Sequence, residues 1–287
     1  MRLANGAGLL HGFQFWLETR YPRRLSQVTV QNYYSQVKQW VKWCDENEYD
    51  YRKACQEDIA VYMGELRRTA RQHTVRNRLI SMRIFYDYAV YQGYCTENPA
   101  RGLPNPRAQS RPSEEFTTRE LRRMYDACKN HRERAVFLLL LGGGLRRSEV
   151  FGVTRADVNF EQGTVTVLGK GAQYRIIAPG PLAMGELEKA LEFDDRLCPY
   201  AWSIYVEKLV KRLGEKAEVA GRVHPHRFRA HFASAFLEAG GGIDELQQIL
   251  GHSRVDMSIY YARASRRRRA LSAQARIDVA SRMLEAV

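Results

Sequence analysis

The second half of the chain contains residues that together could cleave a phosphodiester without a metal ion. Such cleavage needs cations on the non-bridging oxygens, an acid for the leaving oxygen and a nucleophile. Arginine suits a phosphate, lysine and histidine can donate protons, and a tyrosine hydroxyl can attack. In chain order, the candidate residues are Arg146, Lys170, His226, Arg229, His252 and the adjacent pair Tyr260 and Tyr261.

Each candidate also has an ordinary structural explanation when it is considered alone. The glycines of "GGGLRRSEVFGV" allow a close backbone approach, but no Gly-Lys-[Ser/Thr] follows that would make a nucleotide P-loop. Lys170 lies between two glycines and could be a solvated turn residue. His226 and Arg229 are three positions apart at a helix start, which is a natural anion site. The tyrosine pair could simply pack against a core.

His224, His226 and His231 are close in sequence, which raises the alternative of a metal site. Their spacing lacks the carboxylate or cysteine partners of usual zinc sites. The five cysteines are odd in number, scattered and without a C-x-x-C pair, which favours reduced thiols over a disulfide framework. We therefore expect no metal and no cofactor.

The elements that must position these residues are predicted to be mainly helical. Apolar spacing predicts a helix at 9–20, one that Ser26 caps, one at 56–68 and one from His73 that closes at Gly93. In the second half, two short β-branched runs flank Gly-Lys-Gly and predict a β-hairpin among further helices. The predicted fold class is mainly α with a small antiparallel β-sheet (α+β).

The stretch 98–114 contains four prolines and no hydrophobic periodicity, which is typical of an interdomain linker. The sequence therefore predicts a helical domain over 1–97 and a second domain over 115–287. Basic residues exceed acidic ones on both sides of the linker, and the net charge is +13. This charge favours a polyanionic partner. The chain has no signal segment and no apolar run that could span a membrane, so we expect a cytoplasmic protein associated with that polyanion.

The order of these motifs resembles that of the tyrosine recombinases, the family of phage integrases, Xer-type proteins and Cre. The family's G-L-R-x-S-E motif is matched by residues 144–149, with its first catalytic arginine at Arg146 and its supporting acidic position at Glu149. The family's hairpin lysine is matched by Lys170. The resemblance covers most of the chain and implies a helical core-binding domain followed by a catalytic domain.

The later motifs match in the same order. The family's H-x-x-R is matched by His226 and Arg229, and its L-G-H by His252. The nucleophile follows that histidine by nine positions and so falls on Tyr261, which leaves Tyr260 as a packing residue.

The resemblance implies a specific reaction. Tyr261 would attack a DNA phosphate and form a 3′-phosphotyrosine link, while Lys170 would protonate the leaving 5′-oxygen, so that a 5′-hydroxyl is released. His226 would assist removal of the tyrosine proton. The developing charge on the phosphate would be held by Arg146, Arg229 and His252. Neither ATP nor a metal ion is required, because the covalent link keeps the bond energy.

The resemblance also implies partners. The protein would act on double-stranded DNA with short inverted-repeat core sites, as a homotetramer that passes through a Holliday junction. The first domain would clamp the duplex, with 98–114 as the hinge, and the tail after Tyr261 would pack on a neighbouring subunit. Candidate DNA contacts are Arg76, Arg78, Arg83 and Arg227.

Two other activities remain open. One is a type IB topoisomerase-like relaxation of DNA, and the other is a noncatalytic DNA-binding protein of the same fold. The two-domain layout and long tail favour recombination, and the full set of catalytic side chains favours an enzyme. Departures such as Arg227 and Phe228 inside H-x-x-R favour a divergent mobile-element integrase over an Xer housekeeping protein. The first helix begins near residue 9, so no separate arm-binding domain is expected.

Overall fold

A computed structural model describes residues 3–22, 25–106, 115–169, 173–198 and 204–251. The chain divides into two compact units, residues 1–111 and residues 112–287. Helices make up most of the described residues, and a small antiparallel sheet lies in the second unit. The predicted fold class is thereby confirmed.

The described part of the first unit is helical. Helix α2 begins where the Ser26 hydroxyl accepts a hydrogen bond from the Thr29 amide at 3.2 Å, as the sequence predicts. Helix α3 follows Cys55, whose backbone amide donates to the Asp58 carboxylate at 2.9 Å. The helices are α1 (Leu3–Thr19), α2 (Gln27–Glu46), α3 (Gln56–Thr69) and α4 (Gln72–Tyr91).

The core of the first unit is rich in aromatic side chains. Phe13 of α1 meets Phe85 of α4 edge to face, with ring centroids 5.4 Å apart. Trp40 and Tyr86 are fully buried, and the Trp40 indole donates to the Tyr86 hydroxyl at 3.0 Å. That hydroxyl donates in turn to the carbonyl of Tyr51 at 2.9 Å. This chain of bonds satisfies polar groups that burial would otherwise leave unpaired.

The arginines of α4 do not share one surface. Arg76 is exposed, whereas Arg78 is only 5% exposed and donates to the Gln36 carbonyl at 2.6 Å and to the Gln39 amide oxygen. Arg83 donates to the carbonyls of Ala100 and Leu103 and to the Asn105 side chain. Arg83 thus fastens the first part of the predicted linker to α4.

The second unit is built around α6, an apolar helix that packs against α8 and α10. Its fully buried leucines and Phe137 belong to one large core with residues of the sheet and of α9. Helix α5 begins at the predicted capping box, in which Thr117 and Glu120 bond each other's backbone amides. The helices are α5 (Thr118–Asp126), α6 (His131–Gly143), α7 (Arg147–Gly152), α8 (Pro181–Ala190), α9 (Ile204–Lys216), α10 (Pro225–Glu238) and α11 (Ile243–Leu250).

The sheet in the described residues has the antiparallel order β1-β2-β3, with β1 at Val158–Asn159, β2 at Thr164–Leu168 and β3 at Tyr174–Ile177. The predicted hairpin is the pair β2–β3, in which Val165 lies opposite Ile177 and Val167 opposite Arg175. Strand β1 and helix α8 were not predicted. In the part of the chain that the structure describes, no helix combines the length and the apolar character needed to cross a bilayer.

The Tyr86 hydroxyl gives a test of the first core. Tyr86→Phe leaves the buried Trp40 indole and the Tyr51 carbonyl without their partner, so we expect the free energy of unfolding to fall by about 1–3 kcal/mol. Urea unfolding followed by tryptophan fluorescence measures this, because three of the four tryptophans, at positions 16, 40 and 43, lie in the first unit.

The matched control is Tyr91→Phe. The Tyr91 hydroxyl accepts from Arg20 at 2.9 Å on the exposed surface, so its removal should change the unfolding free energy by less than about 0.5 kcal/mol. Equal effects of the two substitutions would contradict the role given to the buried hydroxyl.

Candidate active site

The turn between α6 and α7 places the first site arginine. Gly144 ends α6 in the left-handed region, with φ of 60°. A Cβ atom there would lie 2.5 Å from the Phe232 ring and 2.8 Å from Leu250, so both the backbone conformation and the space require glycine. The chain then enters α7 with Arg146 as its N-cap residue. The glycine break thus places Arg146 at a helix start, as the sequence predicts.

The Glu149 carboxylate is the centre of the site and is 4% exposed. Arg146 donates to it twice, from its backbone amide at 2.7 Å and from Nη1 at 2.6 Å. Arg175 of β3 donates from both terminal nitrogens, at 2.9 and 2.8 Å. Arg229 of α10 places its Nη1 atom 3.9 Å from Glu149 Oε2. One buried carboxylate is therefore shared by three of the described arginines.

The same arginines meet the carboxyl-terminal end of α11. Arg175 Nε donates to the Ile249 carbonyl at 2.6 Å, Arg229 Nη2 to the Leu250 carbonyl at 2.5 Å, and Arg146 Nη2 to the Gly251 carbonyl at 3.1 Å. Carbonyls at a helix end lack intrahelical partners and carry partial negative charge. Each of the three guanidinium groups donates a hydrogen bond to one of these carbonyls. His252 is the next residue in the sequence.

Glu149 is ionised at neutral pH. Its burial raises the pKa of the carboxyl, but hydrogen bonds and charges from Arg175 and Arg146 outweigh that effect and lower the pKa to about 2. The site therefore contains one negative charge against three arginine charges among the described residues. The remaining positive charge suits a phosphate.

His226 lies in the first turn of α10, and Pro225 before it occupies the first helical position as predicted. Partial removal from water and the charges of Arg229, Arg146 and Arg147 lower the pKa of His226. A lowered pKa keeps more of the imidazole neutral at physiological pH, and a neutral imidazole can accept a proton. His226 and Arg229 are three positions apart in α10 and therefore lie on the same face of that helix.

Of the predicted site residues, Arg146, Glu149 and Arg229 lie together, and His226 shares a face of α10 with Arg229. Lys170, His252, Tyr260 and Tyr261 lie outside the described residues, as does the predicted tail. The residue before Lys170 is informative. A Cβ atom at Gly169 would lie 3.4 Å from Arg175 Nη1 and 3.8 Å from Glu149 Oε1, so this end of the hairpin borders the cluster.

Arg227 lies apart from the cluster. Its side chain donates to the Ala220 carbonyl at 2.8 Å and to the Glu115 carbonyl at 3.2 Å, and its guanidinium lies 4.3 Å from the centre of the Phe116 ring. The residue is buried. The described bonds of Arg227 thus lie within the second unit, as those of Arg78 lie within the first.

Arg175 is the site residue that the sequence analysis missed. It occupies an inward position of β3, on the side of the strand that also buries Ile177, while Tyr174 and Ile176 are exposed. A charged residue at an inward position of a short strand needs a buried partner of opposite charge. That pattern was the available signal, but the sequence does not show that the partner is Glu149.

The three histidines that are close in sequence, His224, His226 and His231, have different surroundings. The ring centroids of His224 and His226 are 6.4 Å apart, and the His231 ring packs on Phe116 at 5.8 Å. Among the residues that the structure describes, no three His, Cys, Asp or Glu side chains are grouped so that they could hold a metal ion.

Comparison with known families identifies the class. Residues 114–268 match the phage integrase family, and residues 14–93 match the N-terminal SAM-like domain of phage integrases. The first match alone covers more than half of the chain. The chain therefore belongs to the phage integrase family, whose members include tyrosine recombinases.

Individual relatives agree with this assignment. The tyrosine recombinase XerC of Escherichia coli O139:H28 (strain E24377A / ETEC) is 29% identical over 259 residues, covering 83% of this chain and 86% of XerC. The fold is similar to that of a lambda integrase tetramer bound to a Holliday junction, with a TM-score of 0.74, 17% identity and coverage of 89% of this chain and 76% of the integrase.

A second solved structure is similar in fold to this chain, with the same TM-score. XerH site-specific recombinase bound to palindromic difH substrate gives a TM-score of 0.74 and 17% identity, covering 86% of this chain and 79% of XerH. The prediction of a tyrosine-type site-specific DNA recombinase is confirmed by the family match and these relatives. They do not favour the topoisomerase-like or noncatalytic alternatives.

Gly144 gives a test of the turn that places Arg146. Gly144→Ala adds a Cβ atom in a left-handed conformation and against Phe232 and Leu250, so we expect it to destabilise the protein by more than about 2 kcal/mol. Urea unfolding followed by far-UV circular dichroism measures the loss.

Gly185→Ala is the matched control, because Gly185 lies inside α8 and a Cβ atom there meets nothing within 4 Å. Alanine favours a helix interior, so this variant should be more stable by about 0.5–1 kcal/mol. A neutral Gly144→Ala would contradict the strain and crowding described for the turn.

Proposed function

We propose that this protein cuts and rejoins double-stranded DNA at specific sites through a covalent bond between Tyr261 and a 3′-phosphate. The observation that carries the proposal is the Glu149 cluster. It holds Arg146 and Arg229 together with their charges only partly neutralised, as stabilisation of a phosphoryl transition state requires. The positive charge in this site is fixed before DNA binds, so little reorganisation is needed at the moment of reaction.

In this proposal Arg146 and Arg229 bind the non-bridging oxygens of the scissile phosphate. The side chain of Arg146 is 26% exposed and can reach a ligand from the surface. Arg229 is 3% exposed, and its bonds to the Gly144 and Leu250 carbonyls fix its guanidinium. A guanidinium held in this way stabilises charge without losing side-chain entropy during the reaction.

The proton transfers are assigned to His226, Lys170 and His252. As the Tyr261 oxygen bonds to phosphorus, the bond from phosphorus to the 5′-oxygen breaks. The tyrosine proton passes to His226, whose lowered pKa favours the neutral, accepting form. Lys170 gives a proton to the 5′-oxygen, and His252 donates to a non-bridging oxygen. Lys170 and His252 follow Gly169 and Gly251 directly in the sequence, and both glycines border the cluster.

Attack by a 5′-hydroxyl of a second strand on the phosphotyrosine would reverse the reaction with a new partner. We propose that this exchange takes place in a homotetramer on paired DNA sites with short inverted repeats, through a Holliday junction, and with the tail after Tyr261 packed in trans. The similar lambda integrase was solved as a tetramer on a Holliday junction, and XerH on a palindromic substrate. These relatives support the proposal.

The DNA clamp is also a proposal. Domain 1–97 would bind the duplex together with 115–287, and 98–114 would connect them. The exposed Arg76 is the better placed of the α4 arginines for a phosphate contact, because Arg78 and Arg83 already donate to acceptors within the first unit. The cytoplasmic location likewise stays a prediction.

The experiment uses the covalent intermediate. The full-length protein is incubated with nicked duplexes that carry randomised inverted-repeat arms, in the presence of EDTA, and protein–DNA adducts are separated under denaturing conditions. A nick near the cleavage point lets a short 5′-hydroxyl strand diffuse away, so the adduct accumulates. We expect the wild-type protein and Tyr260→Phe to form the adduct and Tyr261→Phe to form none.

The neighbouring tyrosine is the matched control, since the same atom is removed one position away. An adduct in Tyr261→Phe that disappears in Tyr260→Phe would show that the nucleophile has been assigned to the wrong tyrosine. A wild-type protein that binds the selected duplexes but forms no adduct would contradict the proposed activity.

A further inference from the structure

Arg175 belongs to none of the motifs that define the site. Its side chain nevertheless makes three hydrogen bonds to Glu149 and α11, more than any other side chain described here makes to them. Its Nη1 and Nη2 atoms bind the two oxygens of Glu149 at 2.9 and 2.8 Å, and its Nε binds the Ile249 carbonyl at 2.6 Å. The side chain is 11% exposed. All three of its nitrogens are therefore used to join β3 to α7 and α11.

The bidentate bond from Arg175 favours the ionised form of Glu149. A carboxylate this deeply buried loses hydration and would be protonated more readily without compensating donors. Arg175 is the first of the groups that lower the pKa of Glu149, ahead of the Arg146 amide. Removing Arg175 therefore raises the pKa of Glu149 and weakens the ion pair with Arg146.

The third bond of Arg175, from Nε to the Ile249 carbonyl, holds helix α11 in place. The carbonyls of Ile249, Leu250 and Gly251 are bound by Arg175, Arg229 and Arg146 in that order. Arg175 thus binds the earliest of the three carbonyls in the sequence, and this bond holds the last turn of α11. Lysine cannot replace it, because an ammonium is a point charge that cannot bind both carboxylate oxygens and a carbonyl in one plane.

We propose that Arg175 is a positioning residue for DNA cleavage, which holds Glu149 and the end of α11 so that Arg146 and Arg229 meet the scissile phosphate. This role rests on the proposed function. It acts through Glu149 and does not touch the phosphate. It therefore differs from a further phosphate contact, which would contribute to DNA affinity and to its salt dependence.

The test is a double-mutant cycle with Arg175→Gln and Glu149→Gln in the full-length protein. Binding to the selected nicked duplex and the single-turnover rate of adduct formation at saturating protein are measured separately. We expect Arg175→Gln to slow adduct formation by about tenfold or more and to change DNA affinity by less than about threefold. The double variant should be no slower than the slower single variant, because both changes disable the same pair.

The matched control is Arg212→Gln. Arg212 of α9 pairs with the buried carboxylate of Glu133 at 2.6 Å in the same unit and is not one of the arginines that contact Glu149. This variant should lose stability but keep its rate of adduct formation. When Arg212→Gln is combined with Glu149→Gln, the losses of unfolding free energy should add. Arg175→Lys should not restore the rate of Arg175→Gln to the wild-type value.

The pH profile of adduct formation supplies a readout that loss of stability alone would not change. In the wild-type protein Glu149 stays ionised well below neutral pH, because its pKa is about 2. In Arg175→Gln the pKa of Glu149 rises, so the rate should fall as the pH is lowered through that raised value. The additional acid limb should disappear when Glu149→Gln is added.

Three results would overturn the proposal. One is an adduct rate in Arg175→Gln equal to that of wild type, another is a double variant whose losses multiply, and the third is an affinity loss as large as the rate loss. A wild-type protein without any adduct would instead refute the proposed function itself, so the two failures are distinguishable.

Discussion

The buried carboxylate of Glu149 is the interaction on which the site depends. It binds Arg146 and Arg175 directly and lies 3.9 Å from Arg229, and the same guanidinium groups bind three successive carbonyls at the end of α11. Elements that are far apart in sequence, from α7 to α11, are thereby joined at one point. The arginines are held between a full negative charge and a helix end with partial negative charge.

This arrangement explains how several cations can be packed together before a phosphate arrives. Arginines at such short separation repel one another, and a buried charge without a partner is strongly destabilising. Glu149 and the α11 carbonyls offset that repulsion while leaving net positive charge for DNA. The arrangement also makes Glu149 sensitive to the loss of any one donor, because its low pKa is the balance of burial against several hydrogen bonds.

The parts of the site that depend on local chemistry were predictable from the sequence. The break at Gly144, the start of α10 at Pro225 and the stop of α11 at Gly251 follow from glycine and proline geometry, so the placement of Arg146 and Arg229 at or near helix starts was foreseen. The resemblance to tyrosine recombinases then gave these residues their roles. The family match confirms the class, and the individual roles remain proposals.

The parts that depend on long-range packing were not predictable. Arg175 is 26 positions from Glu149 in the sequence, and nothing local indicates that the two side chains meet. For the same reason, spacing alone could not show that Arg78 points into the first unit toward Gln36, 42 positions away. Strand β1 is too short, at two residues, to show a period.

The pH dependence of unfolding for wild type and Glu149→Gln tests most directly whether an ionised Glu149 organises the site. Because the pKa of Glu149 falls from 4.5 to about 2 on folding, its contribution is complete above the unfolded value and is lost as the pH falls through the folded one. Wild type is expected to exceed Glu149→Gln in unfolding free energy near neutral pH, and the difference should shrink once the pH falls below 4.5 and continue to shrink toward about 3. A difference that stays constant over this range would contradict this role of Glu149.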